Sequence, residues 1–383
     1  MMYVGTVVKQ ASKNEAIVNS RLSFEPRDMY VEEMKSAREW EDFLKVIPNR
    51  TFYHSIKWKE VVQKTFNFNS LYLTIKENTG RIVGICPGFI TSSMYTKIYD
   101  SIPHSDYGGP LMENHYAEGG SLLLRDFLQK FCPSRGIGYA KFLFLDETRL
   151  SKFFRSQSGA TERALGIMKI DLKTTPSGFL WNKVFSRNLK KKVRHVEQDG
   201  FQAQEAKTKS DLLEFYNLYV QNMKHIGASP DPFRFVENMW NTLHPDNLRI
   251  WLLRKDRAVG AELFLQDKDG SYAHYAAVDR EQARARLSPI NYLRWVEIGK
   301  AEQEGRRFVS FGSTPSDPLN RYRLQKERIG GSFQQQERIW YSFTSTGFAL
   351  VQARARIAPA WKAIRRFLPI GLKGFLERRF LEF

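Results

Sequence analysis

Along this chain the spacing of apolar positions switches between a helical period and a strand period, and the switches outline a sequence of elements. Over 36–46 apolar residues recur at helical spacing, and Pro48 and Asn49 end the run. Ser55 stands where it would cap a second helix over IKWKEVVQKTF. Two β-rich runs about an Asn-Thr-Gly turn, LYLTIKENTGRIVGICPGFI, predict a hairpin. The extended run YTKIYDSIP then leads into HSDYGGP, a loop of turn formers and polar groups. A helix over 119–131 and, after Arg135-Gly136, the strand YAKFLFL close the series. Residues 1–20 read as a polar leader or a loosely attached strand.

The second half repeats this order. Helices are expected over 211–225 and 232–243, then a hairpin in LRIWLLRKDRAVGAELFLQ around Lys255-Asp256-Arg257 and a strand in YAHYAAVD. After the loop RARLSP comes a helix over 290–304 running into Gly305, and the strand RRFVSFG. Val83-Gly84 in the first hairpin matches Val259-Gly260 in the second. Gly136 and Gly305, each ahead of a closing strand, match at a similar offset. The same elements at near-equal offsets argue for duplication of one α/β unit. The expected domains are 21–172 and 173–340, with a cleft shared between them.

Two stretches stand apart. Read as a helix over 181–200, WNKVFSRNLKKKVRHVEQDG places Trp181, Phe185, Leu189, Val193 and Val196 on an apolar stripe. Arg187, Lys190, Lys191 and Arg194 make a basic stripe, and Gly200 is a C-terminal stop. The basic stripe is either a phosphate cradle facing the shared cleft or a solvated surface. Residues 341–383 form a basic amphipathic tail in which Trp361, Ile364 and Leu368 lie beside Lys362, Arg365 and Arg366. It is either an interfacial helix for anionic membrane lipid or a helix docked on the second domain.

Composition narrows the partners. With 59 Lys and Arg against 41 Asp and Glu, the net charge of +18 calls for an anionic partner: a phosphorylated metabolite, nucleic acid or an anionic membrane surface. Cys86, in the apolar run IVGICPGF, and Cys132 fit reduced thiols and a cytoplasmic protein, with association at the inner face of the membrane left open. No window is apolar for the length of a membrane span. The seven histidines are scattered, so no metal site is expected, and neither a G-x-S-x-G nor a Walker sequence occurs.

Spread over about 36–335 are residues that together resemble a known family. In the first half these are Phe52-Tyr53-His54-Ser55 with Trp58, Gly80-Arg81-Ile82-Val83-Gly84 and Asp106-Tyr107-Gly108-Gly109-Pro110. In the second they are Arg187 to Gly200, Ala258-Val259-Gly260-Ala261, Ser288-Pro289-Ile290-Asn291 with Trp295, and Phe311-Gly312-Ser313 followed by Lys326 and Gly330-Gly331. Their order resembles the GNAT superfamily of acyl-CoA N-acyltransferases, and the tandem joined by a basic helix is similar to FemAB-type peptidoglycan-bridge aminoacyltransferases. The resemblance implies an α/β (α+β) fold of tandem duplicated GNAT-like domains, each a mixed, mostly antiparallel sheet flanked by helices. It implies transfer of an acyl or aminoacyl group to an amine on a cell-envelope or polysaccharide precursor, an amino-sugar or peptide acceptor either small or lipid-linked. The donor is left open between acyl-CoA and aminoacyl-tRNA. The loop 284–289 lacks the glycines of an acyl-CoA cradle, and the coiled-coil insertion of some FemAB proteins is missing. The other reading is a non-enzymatic protein holding anionic lipid or nucleic acid.

Acyl transfer to an amine needs a neutral amine, a stabiliser for the oxyanion and a destination for a proton. Asp106 and Tyr107 would orient the amine or relay its proton, or else Asp106 is a turn former ahead of Gly-Gly-Pro. His54 is a candidate base or a structural residue at a helix start. Glu262 shares a strand face with Ala258, Gly260 and Phe264, and is a base if desolvated or a solvent-facing residue if its strand is at an edge. By its place in the family pattern Lys326 would neutralise a phosphate or the oxyanion; otherwise it is a surface lysine. Arg284, Arg286 and Asn291 flank a helix start suited to an anion. With Trp58, Tyr107, Arg187, Lys190 and Arg194 they are the expected substrate contacts.

Overall fold

Serine caps start the helices of the first half where the sequence places them. Ser36 accepts the Glu39 N–H at 3.2 Å ahead of Ala37–Val46, and Ser55 accepts the Trp58 N–H at 3.2 Å ahead of Ile56–Phe66. The computed structural model describes residues 28–93, 95–145, 147–281 and 288–364, with side chains to residue 357. The leader over 1–20, the loop carrying Arg284 and Arg286 and the end of the basic tail lie outside them. The hairpin forms between Leu73–Glu77 and Ile82–Cys86, and Lys97–Asp100 runs parallel to Ile137–Leu145. In the second half the same order appears as Lys209–His225, Phe233–Leu243, the hairpin Leu248–Arg254 with Ala258–Gln266, then Gly270–Val278, Pro289–Gln303 and Phe308–Pro315. The matched glycines are explained by one conformation. Gly136 at φ 73 and Gly305 at φ 71 end equivalent helices in the left-handed region, where a Cβ is strained.

Two strands tie the halves into one twelve-stranded sheet. Leu165–Asp171 pairs with Phe308–Pro315 of the second half. Ser332–Ser342 pairs first with Leu165–Asp171 and then, from Gln336 to Ser342, with Ile137–Leu145 of the first half. The closing strand of each half is therefore seated against the other. A four-stranded sheet containing the first hairpin lies apart. The helices Ile56–Phe66 and Phe233–Leu243 pack across the same seam, with the Trp58 and Phe235 rings 5.8 Å apart, and Arg50 forms ion pairs with Asp267 and Asp269. The apolar core is continuous from Trp40 and Trp58 to Phe215 and Leu263, so burial resists separation of the halves.

The basic segment differs from its expected form. Leu180–Val184 makes a π-helical turn, Phe185 is extended at ψ 120, and the helix proper is Arg187–Gln198, begun by Ser186, whose side chain accepts the Leu189 N–H. Leu189, Val193 and Val196 are buried against the second-half core, and Gly200 stops the chain at φ 82. The tail helix Ser345–Ile364 starts by docking where the two halves meet, on Ile137–Leu145 of the first and on Ser332–Ser342 of the second. Val351 packs with Trp340, Tyr139 and Ile98, and Arg354 stacks over Trp340 at 4.0 Å.

Candidate active site

Gly270–Val278 and Phe308–Pro315 are parallel neighbours for only three residue pairs, ending at Tyr272↔Ser310. Beyond that point the strands part. Ala273 to Ala276 and Val278 on one side and Phe311 to Ser313 on the other line a cavity of about 770 Å³. Strand edges that leave a ladder present backbone N–H and C=O groups to an extended ligand. The Ala258–Gln266 ladder contains a bulge here: Leu263 pairs with Tyr275 and Phe264 with Ala273, leaving His274 unpaired. Such a bulge re-aims a side chain, and His274 lines the cavity.

Asp106 reaches this cavity from the first half. Its loop is fixed at several points: the Ser101 hydroxyl donates to Gly108 O at 3.0 Å, His54 Nε2 donates to Gly109 O at 2.9 Å, and the Gln336 amide donates to Asp106 O. Ile102 at φ 53 and His104 at φ 57 hold left-handed conformations, strain that the surrounding contacts must sustain. The carboxylate lies against the Phe311–Ser313 strand end, where it accepts the Ser313 N–H and, at 3.4 Å, the Tyr53 hydroxyl. Gly312 makes this approach possible. Its φ is 66, and a Cβ there would stand 2.8 Å from Asp106 Oδ2 and from Ala273 O. Burial raises the Asp106 carboxyl to about 6, against the pull of the Lys326 charge.

Glu262 projects from the Ala258–Gln266 strand and is 0% exposed. Arg294, on the Pro289–Gln303 helix, donates to its Oε1 at 2.9 Å, while Oε2 has no hydrogen-bond partner among the described residues. An unpartnered buried carboxylate oxygen costs about 1–3 kcal/mol, and a bound donor group would relieve it. Burial raises the Glu262 carboxyl and Arg294 opposes the shift. Lys326 is buried beside them, its Nζ donating to Ser313 O at 2.8 Å, Thr314 Oγ1 at 2.9 Å and Gly312 O at 3.4 Å. Burial, with the Arg294 charge, lowers its ammonium to about 7, against Asp106 and Glu262. The site thus holds a proton acceptor, a carboxylate with a free lone pair and a fixed cation. Those are the components amine acylation needs.

Other expected residues serve elsewhere. His54 is no base: Nδ1 accepts the Thr51 N–H at 3.1 Å, Nε2 is spent on Gly109, and burial lowers the ring to about 4. It pins the Asp106 loop. Trp58 and Tyr107 are buried behind the cavity rather than facing a substrate. Trp58 stacks edge-on to Tyr53 and His274, and Tyr107 hydrogen-bonds with Ser310. Arg187, Lys190 and Arg194 do not line the main cavity. Arg194 and Lys190 lie over Trp181, at 5.5 and 6.0 Å, beside a separate small cleft. Asn291 lines an adjoining groove of about 870 Å³ that shares Ser288 and Gln325 with the main cavity, and it accepts from Gln325 at 3.2 Å. Arg284 and Arg286 lie outside the described residues. Sequence reasoning missed His274, Tyr53 and Arg294 as site residues. A lone arginine within the apolar run INYLRWV was a usable signal for a partner to Glu262; the bulge that turns His274 inward left none.

Residues 183–322 match the family model described as an acetyltransferase (GNAT) domain. No curated protein matches the chain by sequence. Among solved structures, the crystal structure of FemX is similar at 15% identity and a TM-score of 0.65, covering 80% of this chain and 96% of its own. The tandem GNAT protein from the clavulanic acid biosynthesis pathway follows at 10% identity and 0.55, covering 82% and 99%. L-PGS from Bacillus licheniformis is similar at 10% and 0.53, covering 84% and 97%. At these identities the likeness is one of fold, and the fold of this chain is the tandem GNAT arrangement.

Proposed function

We propose that this chain, whose second half carries a GNAT acetyltransferase domain and whose full length takes the tandem GNAT fold, is an N-acyltransferase with one active centre, at the parted strands of the second half. The reading is carried by the meeting of Asp106, Glu262 and Lys326 in one cavity. An amine nitrogen attacks the acyl carbonyl of a thioester or ester donor, the N–C bond forms and the C–S or C–O bond breaks. The leaving thiolate or alkoxide takes up a proton. Asp106, ionised above about 6, takes the proton the amine loses. Glu262 Oε2 accepts a hydrogen bond from the amine and fixes its direction of attack. Lys326 has its three N–H groups committed, so it stabilises the oxyanion as a fixed positive charge.

Acyl-CoA is the donor we favour, because residues 183–322 match a GNAT acetyltransferase domain and GNAT domains take acyl-CoA. Aminoacyl-tRNA is the alternative donor. The acceptor is an amine on a cell-envelope or polysaccharide precursor, as the FemAB-type resemblance implies, and the protein would meet it in the cytoplasm. Purified protein incubated with an acyl-CoA panel or aminoacyl-tRNA and with amino-sugar and peptide acceptors should form amide product and release donor thiol or tRNA. Absence of product with every pairing, alongside ligand binding indifferent to Asp106→Asn and Lys326→Met, would leave the non-enzymatic binding protein as the surviving account.

A further inference from the structure

Three exposed apolar residues stand on the lips of the cavity and its adjoining groove. Leu319 is 80% exposed, Tyr322 60% and Ile226 47%. Tyr322 and Ile226 line the main cavity, and Leu319 lines the groove that shares Ser288 and Gln325 with it. Leu319 is presented on a fixed turn: its N–H donates to Asp317 Oδ1 at 2.9 Å, and Asn320 caps the next helix by accepting the Tyr322 N–H. Lys192, Arg321 and Arg328 surround it along the groove. None of the three has a carboxylate partner among the described residues, and Asp317 is already engaged by the turn. Apolar tips set among unpaired cations are the composition of an interfacial binding surface, in which the tips enter the headgroup region and the cations meet acidic headgroups. A nucleic acid would use the cations and give an aliphatic tip such as Leu319 nothing to bind.

We propose that this lip docks on an anionic lipid bilayer, with Leu319 and Tyr322 entering the headgroup layer and Lys192, Arg321 and Arg328 on its acidic groups. The cavity mouth then opens toward the membrane. Resting on the proposed acyl transfer, this makes a lipid-anchored amine the acceptor the geometry favours. The surface is distinct from the C-terminal tail, whose described part packs against Ile98, Tyr139 and Trp340.

The test is co-sedimentation of the full chain with vesicles of phosphatidylcholine alone or of equal parts phosphatidylcholine and phosphatidylglycerol. Binding is expected to the mixed vesicles only. Leu319→Ser combined with Tyr322→Ser is expected to lower partitioning about tenfold, and Arg321→Gln or Arg328→Gln about fivefold each. No binding to the mixed vesicles overturns the proposal. So does binding that survives the Leu319→Ser, Tyr322→Ser pair, which would assign it to another basic segment, or binding that added RNA displaces with no dependence on Leu319. The assay contains neither donor nor acceptor, so its outcome is independent of whether transfer is detected.

Discussion

The two halves build the same parallel strand pair and use it in opposite ways. In the second half the pair ends at Tyr272↔Ser310 and the strands part around a cavity. In the first, Lys97–Asp100 and Ile137–Leu145 are paired to Asp100↔Lys141, and the gap beyond is closed by the chain itself. The Ser101 N–H continues onto Lys141 O, Gly108 bridges Leu143, and a Cβ on Gly109 would run into the Leu143 carbonyl. The loop that fills this gap is the one that carries Asp106 into the other cavity. The filled gap of the first half thus serves as the mount from which Asp106 reaches the open gap of the second.

The sharpest way to break this comparison is to remove the exported group while leaving the loop in place. Asp106→Asn keeps the size of the side chain but cannot take up the amine proton. It is expected to lower kcat about a hundredfold or more, with donor KM nearly unchanged, in steady-state assays with a saturating acceptor. Next comes the contact between the filled and open gaps. Gly312→Ala forces a Cβ into the left-handed region and against Asp106 Oδ2. A loss of about 1–3 kcal/mol in denaturant unfolding is expected, together with about a tenfold fall in kcat/KM. Wild-type stability in that variant would mean that the strand end yields easily and that the Asp106 loop is not tightly fitted to it.

Protonation supplies a milder probe. Asp106 is raised by burial from 3.8 to about 6, and Lys326 lowered by burial from 10.5 to about 7. The proposed transfer needs the first ionised and the second charged, so kcat/KM should rise through about 6 and fall through about 7, the two limbs belonging to the pair. Asp106→Asn should erase the rising limb. For stability the signs differ from those of a surface ion pair. The folded state holds the Asp106 proton more tightly than the unfolded chain, so stability falls as pH rises from 3.8 to about 6. It gives up the Lys326 proton more easily, so stability recovers as pH rises from about 7 toward 10.5. Asp106→Asn should therefore gain about 1 kcal/mol at neutral pH while losing activity, a trade expected of a functional residue.

Much of this was legible in the chain. Period changes and caps located both hairpins, the paired helices and the glycines that stop them, because those signals act within a few residues. The order of elements, read twice, gave the duplication. Not legible was the exchange of strands, since nothing local marks Leu165–Asp171 or Ser332–Ser342 as crossing to the other half. The candidate site was half readable for the same reason. Asp106, Glu262 and Lys326 are unusual residues in their settings: an acid among glycines, an acid in an apolar strand, a lysine ahead of Gly-Gly. His54 and Tyr107 looked equally chemical, and only the contacts of the folded chain show them holding the loop. The basic helix was the least legible, because charge density is visible in a sequence while the direction of a helix face depends on a core formed by distant segments.

That helix gives the smallest expected effect and a test of where the boundary of the site lies. Arg187 and Arg194 are exposed on Arg187–Gln198, whose apolar face packs on the second-half core, and neither lines the main cavity. Arg187→Ala should change unfolding free energy by about 0.5 kcal/mol or less. Arg194→Ala removes a guanidinium over the Trp181 ring and should cost about 0.5–1 kcal/mol. Neither should move the KM of a small acyl donor. A severalfold rise in donor KM for Arg187→Ala, with stability unchanged, would extend the donor-binding surface from the main cavity to the exposed face of the helix. The open half would then bind its substrate over a much wider area than the parted strands alone provide.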